Sequence, residues 1–135
     1  RFTGGAVGSF EATRYALGRK NAMRLEVNGS RGSLAFDFES MNELQFFDGD
    51  APGVEAGFRR VLVTEADHPY VGAWWPPGHL LGYEHTFVHE VVDLVGAIAA
   101  GTDPAPSFAD GLQVQRVLAA VEDSAAAENW QLIPG

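Results

Sequence analysis

The chain has 135 residues, 46% of them hydrophobic and 20% charged, with a formal net charge of −9 and no cysteine. That length suits one domain with a core of its own, and the missing cysteines remove disulfide frameworks, thiol nucleophiles and cysteine-ligated zinc together. The charge is uneven: up to Arg60 eight acids balance eight bases, whereas from Val61 onward ten acids stand against Arg116 alone. A binder of polyanions would need a basic surface, so nucleic acid is excluded as a partner.

In chain order, Arg1-Phe2 followed by Thr3-Gly4-Gly5 reads as the end of one strand entering a hairpin, and Ala6 to Leu17 reads as the returning strand. A domain rarely begins with half a strand, so the chain is expected to be a fragment of something longer. Gly18-Arg19-Lys20-Asn21 is a turn. Beyond it the alternation is clean, with Met23, Leu25 and Val27 on one face and Arg24, Glu26 and Asn28 on the other. Gly29-Ser30-Arg31-Gly32 is a tight connection, after which Leu34, Phe36 and Phe38 resume the apolar face. Glu43–Phe47 and Phe58–Val63 are two further strands, separated by the turn-rich 48–53. Strands joined this tightly pair antiparallel, because parallel pairing needs a crossover of about a dozen residues.

The period then changes. Phe87, Val91, Leu94, Val95 and Ile98 recur at helical spacing between Tyr83 and Ala100, and Gly101 closes the segment. Pro104 and Pro106 precede a second helix with the stripe Leu112, Val114, Val117, Leu118 and Val121. Ser107 or Asp110 caps its start, Glu128-Asn129 ends it, and Trp130–Ile133 is expected to be a last strand. The prediction is an α+β fold: an open, mostly antiparallel sheet of about five or six strands, an ordinary sheet size, with two helices packed on one face. No apolar run approaches the ~18 residues of a membrane span. No secretory leader opens the chain, and the expected location is the cytoplasm.

Two stretches carry candidate chemistry. His85 and His89, with Asp93 four residues on, share one ridge of the first helix. That spacing lets two imidazoles grip one metal ion, and it is also what the polar side of any amphipathic helix presents. The connection from Thr64 to Gly82 is long for a compact domain. Its Tyr70, Trp74, Trp75 and Leu80-Leu81 are costly to leave in water, and Pro69, Pro76 and Pro77 stiffen it. Flat aromatic faces beside His68, His79 and Tyr83 suit a polyhydroxylated ligand such as a sugar or cyclitol; the same aromatics also suit a sheet edge or an oligomer contact. Gly4-Gly5-Ala6-Val7-Gly8 lacks the dinucleotide spacing and precedes a strand, and no phosphate-loop or nucleophile-elbow motif occurs.

The runs Gly5-Ala6-Val7-Gly8-Ser9-Phe10-Glu11-Ala12-Thr13-Arg14, Leu25-Glu26-Val27-Asn28-Gly29-Ser30-Arg31-Gly32-Ser33-Leu34 and Ser107-Phe108-Ala109-Asp110-Gly111-Leu112 resemble the C-terminal domain of the Gfo/Idh/MocA oxidoreductases. That family includes glucose–fructose oxidoreductase and inositol dehydrogenase. The resemblance covers nearly the whole chain, so residues 1–135 are expected to be one substrate-binding and oligomerisation domain. It implies an N-terminal Rossmann domain, outside this chain, that holds NAD(P) and a catalytic lysine acting on the substrate hydroxyl. No catalytic, cofactor-binding or metal-ligating residue is then expected here. The resemblance also implies that His79 and Tyr83 hydrogen-bond substrate hydroxyls, that Trp75 stacks on the ring and that Arg14 faces the pocket. It further implies a homo-oligomer built through the open sheet face. The alternatives are a non-enzymatic module that uses that face for protein contacts, and a metal-dependent enzyme built on His85, His89 and Asp93.

Overall fold

The structure is a computed structural model, and it describes residues 1–133. The chain divides into two compact units, Arg1–Leu80 and a second beginning at Leu81.

The first unit is built on an antiparallel sheet of four strands in sequential order: β1 (Arg24–Gly29), β2 (Gly32–Asp37), β3 (Glu43–Asp48) and β4 (Arg59–Leu62). The alternation read from the sequence fixes its two faces. Leu25 stands opposite Phe36, Val27 opposite Leu34, Leu34 opposite Phe46 and Leu44 opposite Val61, which makes one face apolar. The other face is laced by polar pairs. Arg24 meets its cross-strand partner Asp37 at 2.8 Å, Arg60 reaches Glu43 at 3.2 Å, and Ser33 Oγ donates to Asn28 Oδ1 at 2.6 Å. Solvent-exposed cross-strand pairs of this kind add little to stability, so the sheet's cohesion rests on its ladder and apolar face.

The β1–β2 loop has two residues, Gly29 and Gly32 being paired. Glycine is required at position 32, because a Cβ there would stand 2.5 Å from the Phe47 carbonyl oxygen. Ahead of the sheet, the turn at Arg19-Lys20 is tied down by Glu39. Its carboxylate accepts from the Lys20 amide at 2.9 Å and from Arg19 at 2.9 Å. Those bonds, the amide's first, hold the Glu39 carboxyl below its ordinary value. Asp37 is lowered too, chiefly by the Glu39 amide and then by Arg24.

Two expected strands do not form. Residues 6–17 carry no ladder, and neither do 130–133. An apolar run becomes a strand only beside a neighbour that completes its ladder, and no strand among the described residues pairs with either segment. The sheet therefore has four strands among the described residues rather than five or six.

The second unit holds α1 (Tyr83–Ala100) and α2 (Phe108–Ala127). Gly101, with φ 66°, ends α1, and the Thr102 amide returns to the Ala97 carbonyl at 3.0 Å. Ser107 caps α2 reciprocally: its Oγ accepts from the Ala109 and Asp110 amides, while its own amide donates to Asp110 Oδ2 at 2.7 Å. That bond lowers the Asp110 carboxyl. Neither helix buries a residue, and the apolar stripes read from the sequence are exposed. No described helix is long and apolar enough to cross a membrane.

Candidate substrate-binding loop

The connection after β4 is an ordered sequence of turns. The Val63 amide donates to the Asn42 carbonyl at 2.8 Å, and the loop that follows has two buried anchors, Thr64 and Val71, each only 3% exposed. Between them Glu65 and His68 bond reciprocally. The Glu65 amide donates to His68 Nδ1 at 3.0 Å, and the His68 amide donates to the Glu65 carbonyl at 3.0 Å. A short 3₁₀ turn, Val71–Ala73, follows, entered through Tyr70 in the left-handed region at φ 67°. A tyrosine there costs energy, which the buried Val71 and the turn's hydrogen bonds offset. Trp74 closes the turn through its amide on the Val71 carbonyl at 3.0 Å.

Beyond this scaffold the chain presents the predicted residues. Trp75 is 50% exposed. Pro76, Pro77 and Gly78, the last at φ 88°, bend the backbone so that His79 Nδ1 lies 2.8 Å from the Pro76 carbonyl oxygen. A carbonyl only accepts, so Nδ1 carries the proton and Nε2 of the neutral ring is an acceptor. His68 is the opposite case: its Nδ1 accepts an amide, which puts the proton on Nε2. The loop thus offers one imidazole as acceptor and one as donor. Hydroxyl-rich ligands, which both give and take hydrogen bonds, need such a pair.

Tyr83 is the first residue of α1 in the second unit, exposed, with its ring edge-on to Phe87 at 5.1 Å. Arg14 lies in the extended segment 6–17. It lines a cleft shared with Glu11, Arg19, Lys20 and Arg24, to which the 64–82 loop contributes no residue. The structure therefore brings Trp75 and His79 together on one loop and sets Arg14 on a different cleft of the first unit. On the helical ridge, His85 Nδ1 accepts the Gly82 amide at 3.0 Å and so serves as the helix's N-terminal acceptor. Among the described residues no three histidine, aspartate or glutamate side chains converge as a metal site would require.

Sequence reasoning missed the anchors Thr64 and Val71 and the conformation of Tyr70. No local signal marks them, since burial of the first two is a tertiary outcome and tyrosine gives no hint of a positive φ.

The oxidoreductase family's C-terminal alpha/beta domain, in its Gfo/Idh/MocA form, matches residues 1–131. This chain belongs to the Gfo/Idh/MocA oxidoreductases. It is 44% identical over 135 residues to levoglucosan dehydrogenase of Pseudarthrobacter phenanthrenivorans, covering 99% of this chain and 34% of that protein. Among solved structures, an oxidoreductase domain protein from Kribbella flavida is 69% identical with a TM-score of 0.89, over 91% of this chain and 33% of that one. Levoglucosan dehydrogenase in complex with NADH and levoglucosan is 43% identical with a TM-score of 0.94, over 100% of this chain and 37% of that one. The chain thus spans about a third of the length of the relatives it matches.

Proposed function

We propose that this Gfo/Idh/MocA domain is the substrate-side part of an NAD(P)-dependent dehydrogenase that oxidises a sugar, cyclitol or related hydroxy compound. The observation that carries the reading is the match, along the entire chain, to a levoglucosan dehydrogenase solved with NADH and levoglucosan. The loop's chemistry supports it independently. An exposed indole, an imidazole acceptor at His79 and an imidazole donor at His68 suit stacking on a ring and pairing with its hydroxyls.

In this reading the dinucleotide is held outside this chain. Gly4 and Gly5 lie in a tight turn between Phe2 and Ala6, and no glycine-rich turn leads into either helix. In this reading the cofactor and the catalytic lysine belong to a Rossmann domain in the remaining two-thirds of the parent polypeptide. This chain contributes orientation. Trp75 stacks on the substrate ring, His79 Nε2 accepts from one hydroxyl, Tyr83 bonds another, and Arg14 faces the pocket in the assembled enzyme. Positioning of this kind raises the rate by fixing the substrate before reaction.

The parent is further proposed to work as a cytoplasmic homo-oligomer joined through the open sheet face. The Arg24–Asp37 and Arg60–Glu43 pairs give that face charges of both signs, which suits contact with a second copy. The test is a panel of anhydrosugars, hexoses and cyclitols offered to the full-length enzyme with NAD+ or NADP+. Saturable formation of reduced cofactor with at least one of them is expected. Inertness toward all of them, in enzyme shown to bind the cofactor, overturns the reading.

A further inference from the structure

We infer that the cleft carrying Arg14 is a binding site for a phosphate group, brought by a small hydroxylated metabolite. This site goes beyond the proposed dehydrogenase function and shares only Arg14 with it.

One doubled-back stretch of backbone builds the cleft. The chain bends at Arg14 and turns at 17–18, and the Arg19 amide closes that turn on the Ala16 carbonyl at 2.9 Å. Residues from both limbs, 9–16 before the turn and 19–24 after it, line the space between. The second limb is pinned, because Glu39 accepts from the Lys20 amide and from the Arg19 guanidinium, each at 2.9 Å. The cleft holds about 860 Å³, the size of a small-molecule site rather than of a bare ion.

Charge sets the sign of the ligand. Four cations, Arg14, Arg19, Lys20 and Arg24, line the cleft against one carboxylate, Glu11. Arg19 is paired with Glu39 at 2.9 Å and Arg24 with Asp37 at 2.8 Å, and neither of those two carboxylates lines the cleft. The Arg14 guanidinium and the Lys20 ammonium have no hydrogen-bond or ion-pair partner among the described residues. Unmatched cations lining one cleft repel each other, and an anion bound there relieves the repulsion. The remaining polar groups narrow the class. The Ser9 hydroxyl and the Asn21 side-chain amide line the same cleft and are equally without partners among the described residues. A phosphate monoester, with three terminal oxygens and a charge of about −2 near neutral pH, engages more of these donors than a carboxylate does. Glu11 can only accept, so it pairs with hydroxyls, which a sugar or polyol phosphate carries beside its anionic group.

The test is calorimetric titration of the full-length enzyme with glucose 6-phosphate, at constant ionic strength and with reduced cofactor in excess so that the cofactor's own site is filled. Saturable binding is expected. Lys20→Gln, which removes one charge-assisted hydrogen bond, should weaken it about tenfold at an unchanged melting temperature, and Lys20→Arg should retain it. Inorganic phosphate should compete more weakly than the sugar phosphate, and glucose, which lacks the anion, should not compete. Absence of binding overturns the inference, and so does equal affinity in Lys20→Gln, which would place the ligand elsewhere. Inorganic phosphate bound as tightly as the sugar phosphate overturns the metabolite and leaves a site for the free ion. Lys20 has no part in the sugar reading, so the two proposals fail separately: inertness toward the sugar panel removes the dehydrogenase function and leaves this site standing.

Discussion

Replacing Trp75 by alanine in the full-length enzyme should weaken the binding of the sugar and leave the cofactor alone. A tryptophan side chain offers about 250 Å² of surface, and half of Trp75 is exposed in the loop, leaving about 125 Å² for a ligand to cover. At about 25 cal/mol per Å², covering all of it is worth about 3 kcal/mol. A ring stacked on one face covers roughly half of that area, giving about 1.5 kcal/mol and a KM for the sugar raised about tenfold. The scaffold behind Trp75 depends on Thr64, Val71 and the turn hydrogen bonds, none of which the substitution touches. Steady-state kinetics with levoglucosan as the probe and cofactor held in excess, followed by the reverse titration, give the two constants separately. Trp75→Phe should recover much of the loss. Equal weakening toward sugar and cofactor, or a melting temperature that drops along with affinity, would show that the side chain braces the loop instead of meeting substrate.

Three further outcomes follow from the fold. Ser107→Ala removes the acceptor for the Ala109 and Asp110 amides and should cost about 1 kcal/mol, visible as a melting temperature lower by roughly 4 °C in a thermal scan. Gly32→Ala sets a methyl group against the Phe47 carbonyl oxygen and should destabilise the sheet by about 1–3 kcal/mol in denaturant titration, whereas Gly53→Ala, in open space, should be silent by comparison. Asp37, Glu39 and Asp110 are each more acidic in the folded chain than their ordinary values of 3.8, 4.5 and 3.8. Their contribution is present above those values and is lost as pH falls through the lower folded ones. Stability should therefore decline as the solution is acidified below about pH 4.5, and Glu39→Gln should flatten part of that decline; a profile identical to the parent's would contradict the role given to Glu39.

How far the sequence revealed this architecture depends on the range of the forces involved. The alternation of Met23, Leu25 and Val27 with Arg24, Glu26 and Asn28 placed β1 and both its faces, because a strand's period is a local property. Ser107 and Gly101 marked their helix ends for the same reason: a cap acts within one turn. The segment 6–17 misled, since its apolar residues read as a strand whatever stands beside them, yet a ladder needs a second backbone. Glu39 was invisible as the clasp on Arg19 and Lys20 because nothing local links residues nineteen and twenty positions apart. In the loop, Trp75 and His79 stood out by residue type alone, but the half-exposure of Trp75, which its cost in water argued against, did not. The tautomers of His68 and His79 were not legible, since each follows from a single hydrogen bond that only the folded backbone defines.

The most direct measurement compares the full-length enzyme with the isolated 135-residue chain, each mixed with the sugar and the cofactor that the panel identifies and followed by the appearance of the reduced cofactor. The full-length protein should form reduced cofactor and the isolated chain none at any concentration, because in the proposed function this chain orients a substrate on which another domain acts. Turnover by the isolated chain would contradict that division of labour outright.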